Sequence, residues 1–207
     1  MRTLIIVSLV GFVLAASPAT QTRDRASRPS DSIERPFASG GRVRMELSAG
    51  DYLITGTSDN RVRVEWRVRD PDRLWRVKVR ADVQGSRATI ETDGPDRDGL
   101  HAVIRVPART DLDIRLSAGE IRIEGIDGHK DVDLYAGEVD IDVGRAADYR
   151  SVNASVWAGE IDAPPFNASK GGLFRSVDWT GTGPYRLRVS LWAGEVRLYG
   201  TSSAASR

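Results

Sequence analysis

Five copies of one tetrad, Ala-Gly-acid-apolar, punctuate this chain, beginning at Ala49, Ala118, Ala136, Ala158 and Ala193. On the N-terminal side of each copy the apolar residues alternate: Met45, Leu47 and Ala49; Ile114, Leu116 and Ala118; Val132, Leu134 and Ala136; Ala154, Val156 and Ala158; Val189, Leu191 and Ala193. Period two is the signature of a strand with one face buried. Beyond the Gly and the acid the alternation resumes one register later, at Ile121 and Ile123 or at Val139 and Ile141. A change of parity inside a strand calls for a bulge or corner, and a residue without Cβ is the natural place for one.

Spacings between successive Ala positions are 18, 22 and 35 residues from Ala118 onward, and a degenerate copy at Ser176-Val177-Asp178-Trp179 divides the longest gap. A period near 20 residues, with one corner and two short strands per repeat, predicts an all-β fold of the β-solenoid (β-helix-like) kind built from short rungs. The competing all-β arrangement is a sandwich of antiparallel hairpins. No stretch after the N-terminus carries a sustained 3.6-residue apolar stripe, so almost no helix is expected.

The first 19 residues read differently. Met1-Arg2-Thr3, an apolar run from Leu4 to Ala16 and a small-residue ending through Ala19 form the pattern of a secretory signal peptide over residues 1–19. The run is far shorter than the roughly 20 residues of a spanning helix, so no stable membrane span is expected after cleavage. Residues 20–41, rich in Ser, Arg, Asp and Pro, are expected to form a flexible leader. The repeat domain then occupies 42–200 and a tail 201–207. Export predicts a periplasmic or secreted location. With no Cys in 207 residues, packing alone must hold the fold, and neither a disulfide nor a thiolate site is possible.

Between the first two tetrads, about 58–107, the strand patterns Arg61–Val68, Arg76–Val83, Ala88–Thr92 and Ala102–Val106 are divided by turn formers. They predict longer antiparallel strands that close the N-terminal end, with Arg61, Arg63, Arg67, Arg76, Lys78 and Arg80 discouraging edge association. A net charge of +1 argues against nucleic acid as a partner.

The run Ile104-Arg105-Val106-Pro107, then Asp111-Leu112-Asp113, then Ala118-Gly119-Glu120 resembles the bacterial putative-adhesin family of β-strand-repeat proteins, otherwise a domain of unknown function. The likeness extends over roughly Gly41 to Gly200. It implies a place in the cell envelope and adhesion, and it brings no catalytic residues with it.

In a stack of rungs, equivalent outward residues form columns. One column is acidic: Asp51, Glu120, Glu138, Glu160 and Glu195 follow the five glycines. Like charges on neighbouring strands repel, so these acids require either Ca²⁺ between them or a structural role, capping the corner amides or pairing with nearby arginines such as Arg115, Arg122 and Arg197. A second column runs through Ser48, Ser117, Tyr135, Trp157 and Trp192, at positions opposite in parity to the core. Its rings are expected to point outward, either forming a platform for the sugar rings of an envelope polysaccharide or stacking on one another. Tyr135, Trp157, Trp192, Glu120, Glu138, Glu160 and Glu195 are therefore the candidate binding residues. Trp66, Trp75 and Trp179 are assigned to core or edge packing.

Catalysis has little to draw on. His101 and His129 stand alone in sequence, no nucleophile elbow, phosphate loop or His-metal spacing is present, and no cofactor is expected. Asp93-Gly94-Pro95-Asp96-Arg97-Asp98-Gly99 lacks the ligand pattern of a Ca²⁺ loop and reads as a hairpin tip. The one enzymatic alternative is a carbohydrate-active enzyme using Glu138 and Glu160 as acid and base on adjacent rungs. Sequence favours a non-catalytic binding or scaffold protein, with a structural spacer or sensor subunit that meets an envelope protein through a strand edge as the other reading.

Overall fold

The computed structural model describes residues 31–95 and 99–201. The expected signal peptide and the leader as far as residue 30 lie outside the described residues, as do the centre of the 93–99 loop and the tail beyond Thr201. Twelve strands follow in chain order: β1 (Asp31–Pro36), β2 (Arg42–Leu47), β3 (Gly50–Thr57), β4 (Arg61–Arg67), β5 (Lys78–Gln84), β6 (Arg87–Asp93), β7 (His101–Pro107), β8 (Asp111–Glu124), β9 (Lys130–Arg145), β10 (Tyr149–Ala163), β11 (Ala168–Thr180) and β12 (Tyr185–Thr201). Helical structure among the described residues is confined to short 3-10 turns at 71–76, 146–148 and 164–166.

All twelve strands join one open sheet. The repeat strands β8, β9, β12 and β10 lie side by side, parallel and in register, so that Ala118, Ala136, Ala193 and Ala158 fall in line, followed by their glycines and glutamates. A straight strand of 14 residues would be roughly 46 Å long. Yet the five residues Gly125–His129 carry the chain from the end of β8 to Lys130, which pairs with Leu112 near the beginning of β8. β8 must therefore fold back on itself, and the tetrad is where it turns. The ladder pairs Leu116 with Leu134 and Ala118 with Ala136 and skips the residue between them, which accounts for the change of parity read in the sequence.

Glycine is required at the turn for two reasons. Gly137 has φ 137°, and a Cβ placed on it would run into the carbonyl oxygen of Gly119 on the neighbouring strand. Each corner glycine thus rests on the backbone of the next, an approach no other residue allows. The tetrad Ala, expected inside, is half-buried in all five copies because the corner lifts it away from the core.

Both arms of the folded strands bury alternate residues in a single apolar cluster: Ile114, Leu134, Val189 and Ala154 from the first arms, Ile121, Val139, Val196 and Ile161 from the second. On the N-terminal side two separate strands take the place of each folded strand. β2 and β3 pair with the two arms of β8, while β6 lies parallel to β2 and β7 parallel to β3. β6 and β7 therefore do not pair as a hairpin across the segment between them. β6 and β7 were expected to be antiparallel and instead extend the parallel stack. The antiparallel strands at this end are β5 against β6, and β4 against β7 and β1.

The strand order departs from a coil that adds one rung per turn. β12 sits between β9 and β10, although β10 and β11 precede it in sequence. The leader, expected to extend to residue 41, ends earlier: Asp31–Pro36 pairs with β4, and Phe37 is buried. The degenerate copy at 176–179 is not a corner either. β11 runs antiparallel to β10, and its own turn is at Gly171–Phe174, where Gly172 faces Gly159 and Leu173 faces Ala158. Trp66 is core, Trp179 packs against it, and Trp75 is 80% exposed.

Terminal strand β11 is exposed along most of its length. Lys170 and Arg175 occupy the ladder positions opposite the buried Ile161 and Val156. Their heads turn back across the bend of their own strand, Lys170 Nζ donating to Ser176 O at 2.8 Å and Arg175 Nε to Gly171 O at 2.9 Å. Cations on the core side of an edge strand discourage another strand from adding to the stack.

Candidate binding face

Placement of the four parallel repeat strands decides which residues meet. Between the two arms, at the ladder positions skipped by pairing, stand Tyr135 on β9, Trp192 on β12 and Trp157 on β10, with Phe174 of β11 facing Trp157. The three predicted aromatics do point outward, with exposures of 64%, 45% and 39%, and Phe174 adds a fourth ring at 71%. Their order in space is Tyr135, Trp192, Trp157, Phe174, because β12 is inserted before β10.

The rings are not laid flat. Trp157 and Trp192 stack with centroids 4.4 Å apart and planes 2° apart, and Tyr135 continues the stack at 6.1 Å and 3°. Phe174 closes it edge-on against Trp157, 5.4 Å away at 80°. The faces of the inner rings are thereby occupied, and the stack offers solvent a ridge of ring edges. Phe174 holds φ 53°, a conformation that costs a bulky L-residue about 1–2 kcal/mol. It is this strained residue that caps the stack.

On the second-arm side of the corner the five acids form one continuous row, Asp51, Glu120, Glu138, Glu195 and Glu160 in spatial order. Two residues further along each strand, Arg122, Asp140, Arg197 and Asp162 form a row of alternating sign. Arg122 Nη2 donates to Glu120 at 3.1 Å and to Asp140 at 3.2 Å. Arg197 donates to both carboxylate oxygens of Glu195, at 2.6 and 2.8 Å, and to Glu138 as well. Arginine therefore supplies the countercharge, as one of the two sequence alternatives required; Arg115 lies on the other arm, 4.0 Å from Asp113. Among the described residues no three acidic or His side chains converge as metal ligands.

Burial, and then the neighbouring Asp140, raise the Glu138 carboxyl above the usual range despite Arg197. Asp140 is the most enclosed acid of the group, its side chain 8% exposed. Glu160 has no ion-pair partner among the described residues. Glu138 and Glu160 were expected on adjacent rungs; Glu195 stands between them.

Neither histidine is isolated in space. His101 Nδ1 is 3.0 Å from Asp51 Oδ2, and His129 Nδ1 accepts from the backbone N of Arg186 at 3.0 Å, which secures the start of β12. Sequence inspection also missed a buried cation. Lys130 occupies the position that Leu112 and Leu187 hold on its two neighbours, and it is 1% exposed. Its Nζ donates to Ile126 O at 2.7 Å, to Gly128 O at 3.3 Å and to Tyr149 Oη at 2.7 Å. Burial brings the ammonium down to about 8, while Asp127, Asp142 and Asp111 pull the other way. It ties the turn between β8 and β9 to the core. A lysine following the His-containing turn, at a ladder position otherwise held by leucine, is the signal that could have revealed it.

No family model matches this chain. No curated protein matches it either. Solved structures do. A "putative cell adhesion protein" from Clostridium sporogenes superposes with a TM-score of 0.55 at 12% identity, over 82% of this chain and 99% of that one. A "putative adhesin" from Bacteroides fragilis aligns over 84% of this chain and 98% of that one, at 8% identity and a TM-score of 0.32. The first likeness establishes a shared fold. That fold is the one the resemblance carried by Ile104 to Glu120 led to expect.

Proposed function

We propose that this chain is an exported, non-catalytic binding protein of the bacterial cell envelope, adhesin-like, which contacts polysaccharide through the outward aromatic row. The observation that carries the proposal is the stack of Tyr135, Trp192, Trp157 and Phe174, four large rings exposed in line on one face. Contiguous exposed apolar surface on a soluble domain marks a contact site. The acid row supports the corner and supplies Glu160 as a free acceptor beside the rings. The export pattern of residues 1–19 and the adhesion-protein fold support an envelope location, and no helix among the described residues is long and apolar enough to cross a membrane. The in-register rungs act as a stiff, solenoid-like base for this row.

A protein partner pairing with the β11 edge is the second reading, favoured by the exposure of Leu173 and Phe174. Lys170 and Arg175 on its core side weigh against it.

The test is binding of the purified protein to a panel of envelope polysaccharides, beside the Tyr135/Trp157/Trp192→Ala triple variant, with circular dichroism to show that both are folded. Binding by the wild type and loss of it in the variant is the expected result. A folded wild type that binds no polysaccharide sinks the reading.

A further inference from the structure

The outward position two residues from the ring row on its first-arm side is occupied, across the stack, by Glu46, Arg115, Asp133, Ser190, Ser155 and Ser176 on β2, β8, β9, β12, β10 and the antiparallel β11. Long charged side chains thus give way to three serines in register on the very strands that carry Trp192, Trp157 and Phe174. In the ring row the order is reversed, small Ser48 and Ser117 at one end and large rings at the other. The relief that results is a trough with a floor of hydroxyls and one wall of aromatic edges. It appears in the structure as an open depression of about 500 Å³ bounded by the ring row, the serines, Asp133 and Arg175.

Two features distinguish this side of the stack from the acid side. Glu120, Glu138 and Glu195 already accept from Arg122 and Arg197, whereas the serine hydroxyls have little to do: among the described residues the sole side-chain bond from the floor is a long one, Ser155 Oγ to Val189 O at 3.3 Å. The inner ring faces are spent on one another, so a ligand meets ring edges, which carry the positive part of the aromatic quadrupole and favour oxygen. Hydroxyls that both donate and accept, beside edges that attract oxygen, suit a ligand rich in hydroxyl groups. The floor itself carries no charge: Ser190, Ser155 and Ser176 are neutral, Asp133 stands at one end, and the Arg175 guanidinium is turned back to Gly171 of its own strand.

We infer that the trough over Ser190, Ser155 and Ser176 is the ligand-binding subsite, and that its occupant is a neutral polysaccharide lying across the strands with the aromatic ridge along one flank. The inference rests on the reading given under the proposed function and narrows it to one side of the rings and one class of polymer. From β9 to β11 the trough crosses three strand spacings of about 4.8 Å, roughly 14 Å in all, so affinity rises with oligosaccharide length until that span is filled. Phe174 sets the outer end, which gives its strained backbone a purpose.

Filling the trough while leaving the rings untouched is the decisive experiment. Ser155→Tyr and, independently, Ser176→Tyr on the exposed terminal strand place a large side chain in the floor at positions where strands tolerate tyrosine. Each is compared with the wild type and the triple ring variant against neutral and anionic polysaccharides. The expected result is at least a tenfold loss of neutral-polymer binding in both serine variants. Binding lost in the ring variant and retained in both serine variants overturns the trough and leaves the aromatic reading standing. Preference for the anionic polymers overturns the assignment to a neutral chain, and absence of any binding by the wild type overturns both readings together.

Discussion

Trp157 and Trp192 lie face to face across two parallel strands that are adjacent in space although 35 residues separate the rings in sequence, centroids 4.4 Å apart. Stacked aromatic pairs contribute about 0.5–1.5 kcal/mol beyond area burial. A double-mutant cycle of Trp157→Ala and Trp192→Ala, followed by urea denaturation, is predicted to show coupling of that size. Strict additivity would mean that the rings merely coexist.

Gly137→Ala is predicted to destabilise by about 3 kcal/mol or more, since the methyl would need both a left-handed backbone and room that the Gly119 carbonyl occupies. The control is an Ala at Gly85, where nothing lies within 4 Å of the added methyl and only the backbone cost applies. Equal midpoints for the two variants in chemical denaturation would refute the corner-stacking account.

Lys130 makes stability depend on pH in a way opposite to that of most salt-bridged lysines. In the fold its ammonium ionises near 8, below the ordinary 10.5, so between those values the unfolded chain holds the extra proton and stability rises with pH. The gain is at most about 3 kcal/mol. Burial moves the Tyr52 and Tyr149 hydroxyls above their ordinary 10.0, so above pH 10 the unfolded chain loses protons that the fold retains and stability falls. Maximum stability is therefore expected near pH 10. Lys130→Met, less stable throughout, is predicted to abolish the rise between pH 8 and 10; a rise that persists in this variant would assign it to other groups.

Arg197 serves three carboxylates on two strands. Arg197→Met leaves them to repel one another, and the damage should be greatest at neutral pH and low salt, shrinking as the pH falls and Glu138, whose carboxyl already lies above its ordinary value, takes up a proton. Thermal melts at pH 7 and pH 4 check this. A destabilisation independent of pH would point to lost packing of the arginine stem.

The corner motif was legible in sequence because it couples three local facts: alternation, a change of parity and a glycine at the change. From it followed the all-β class, the parallel registration of Ala118, Ala136 and Ala158, and the outward aspect of Tyr135, Trp157 and Trp192. Strand order was not legible, because nothing local to β12 states that it will lie between β9 and β10. The same gap placed Glu138 beside Glu160 in expectation. Phe174 was missed for a different reason: β11 runs antiparallel, so its copy of the motif reads backwards, Phe174-Leu173-Gly172-Gly171 against Trp157-Ala158-Gly159-Glu160. Read forwards, the nearest likeness to the motif in this segment is Ser176–Trp179. The serine trough escaped notice since serine carries no hydrophobic pattern, and its meaning depends on neighbours from three distant strands.

Placing β12 in the middle of the stack also has a temporal consequence. Until this late strand is in position, β9 and the β10–β11 pair have no neighbour across the gap it fills, and the molecule exists as two incomplete halves. Pulsed hydrogen exchange should then find β12 protected in one step with those amides of β9 and β10 that face it, whereas protection of these facing amides ahead of β12 would disprove it. Docking a central strand of such high sequence separation delays cooperative closure. The strand that joins the two halves is the last of the twelve in chain order, and neither half is complete for as long as that strand is withheld.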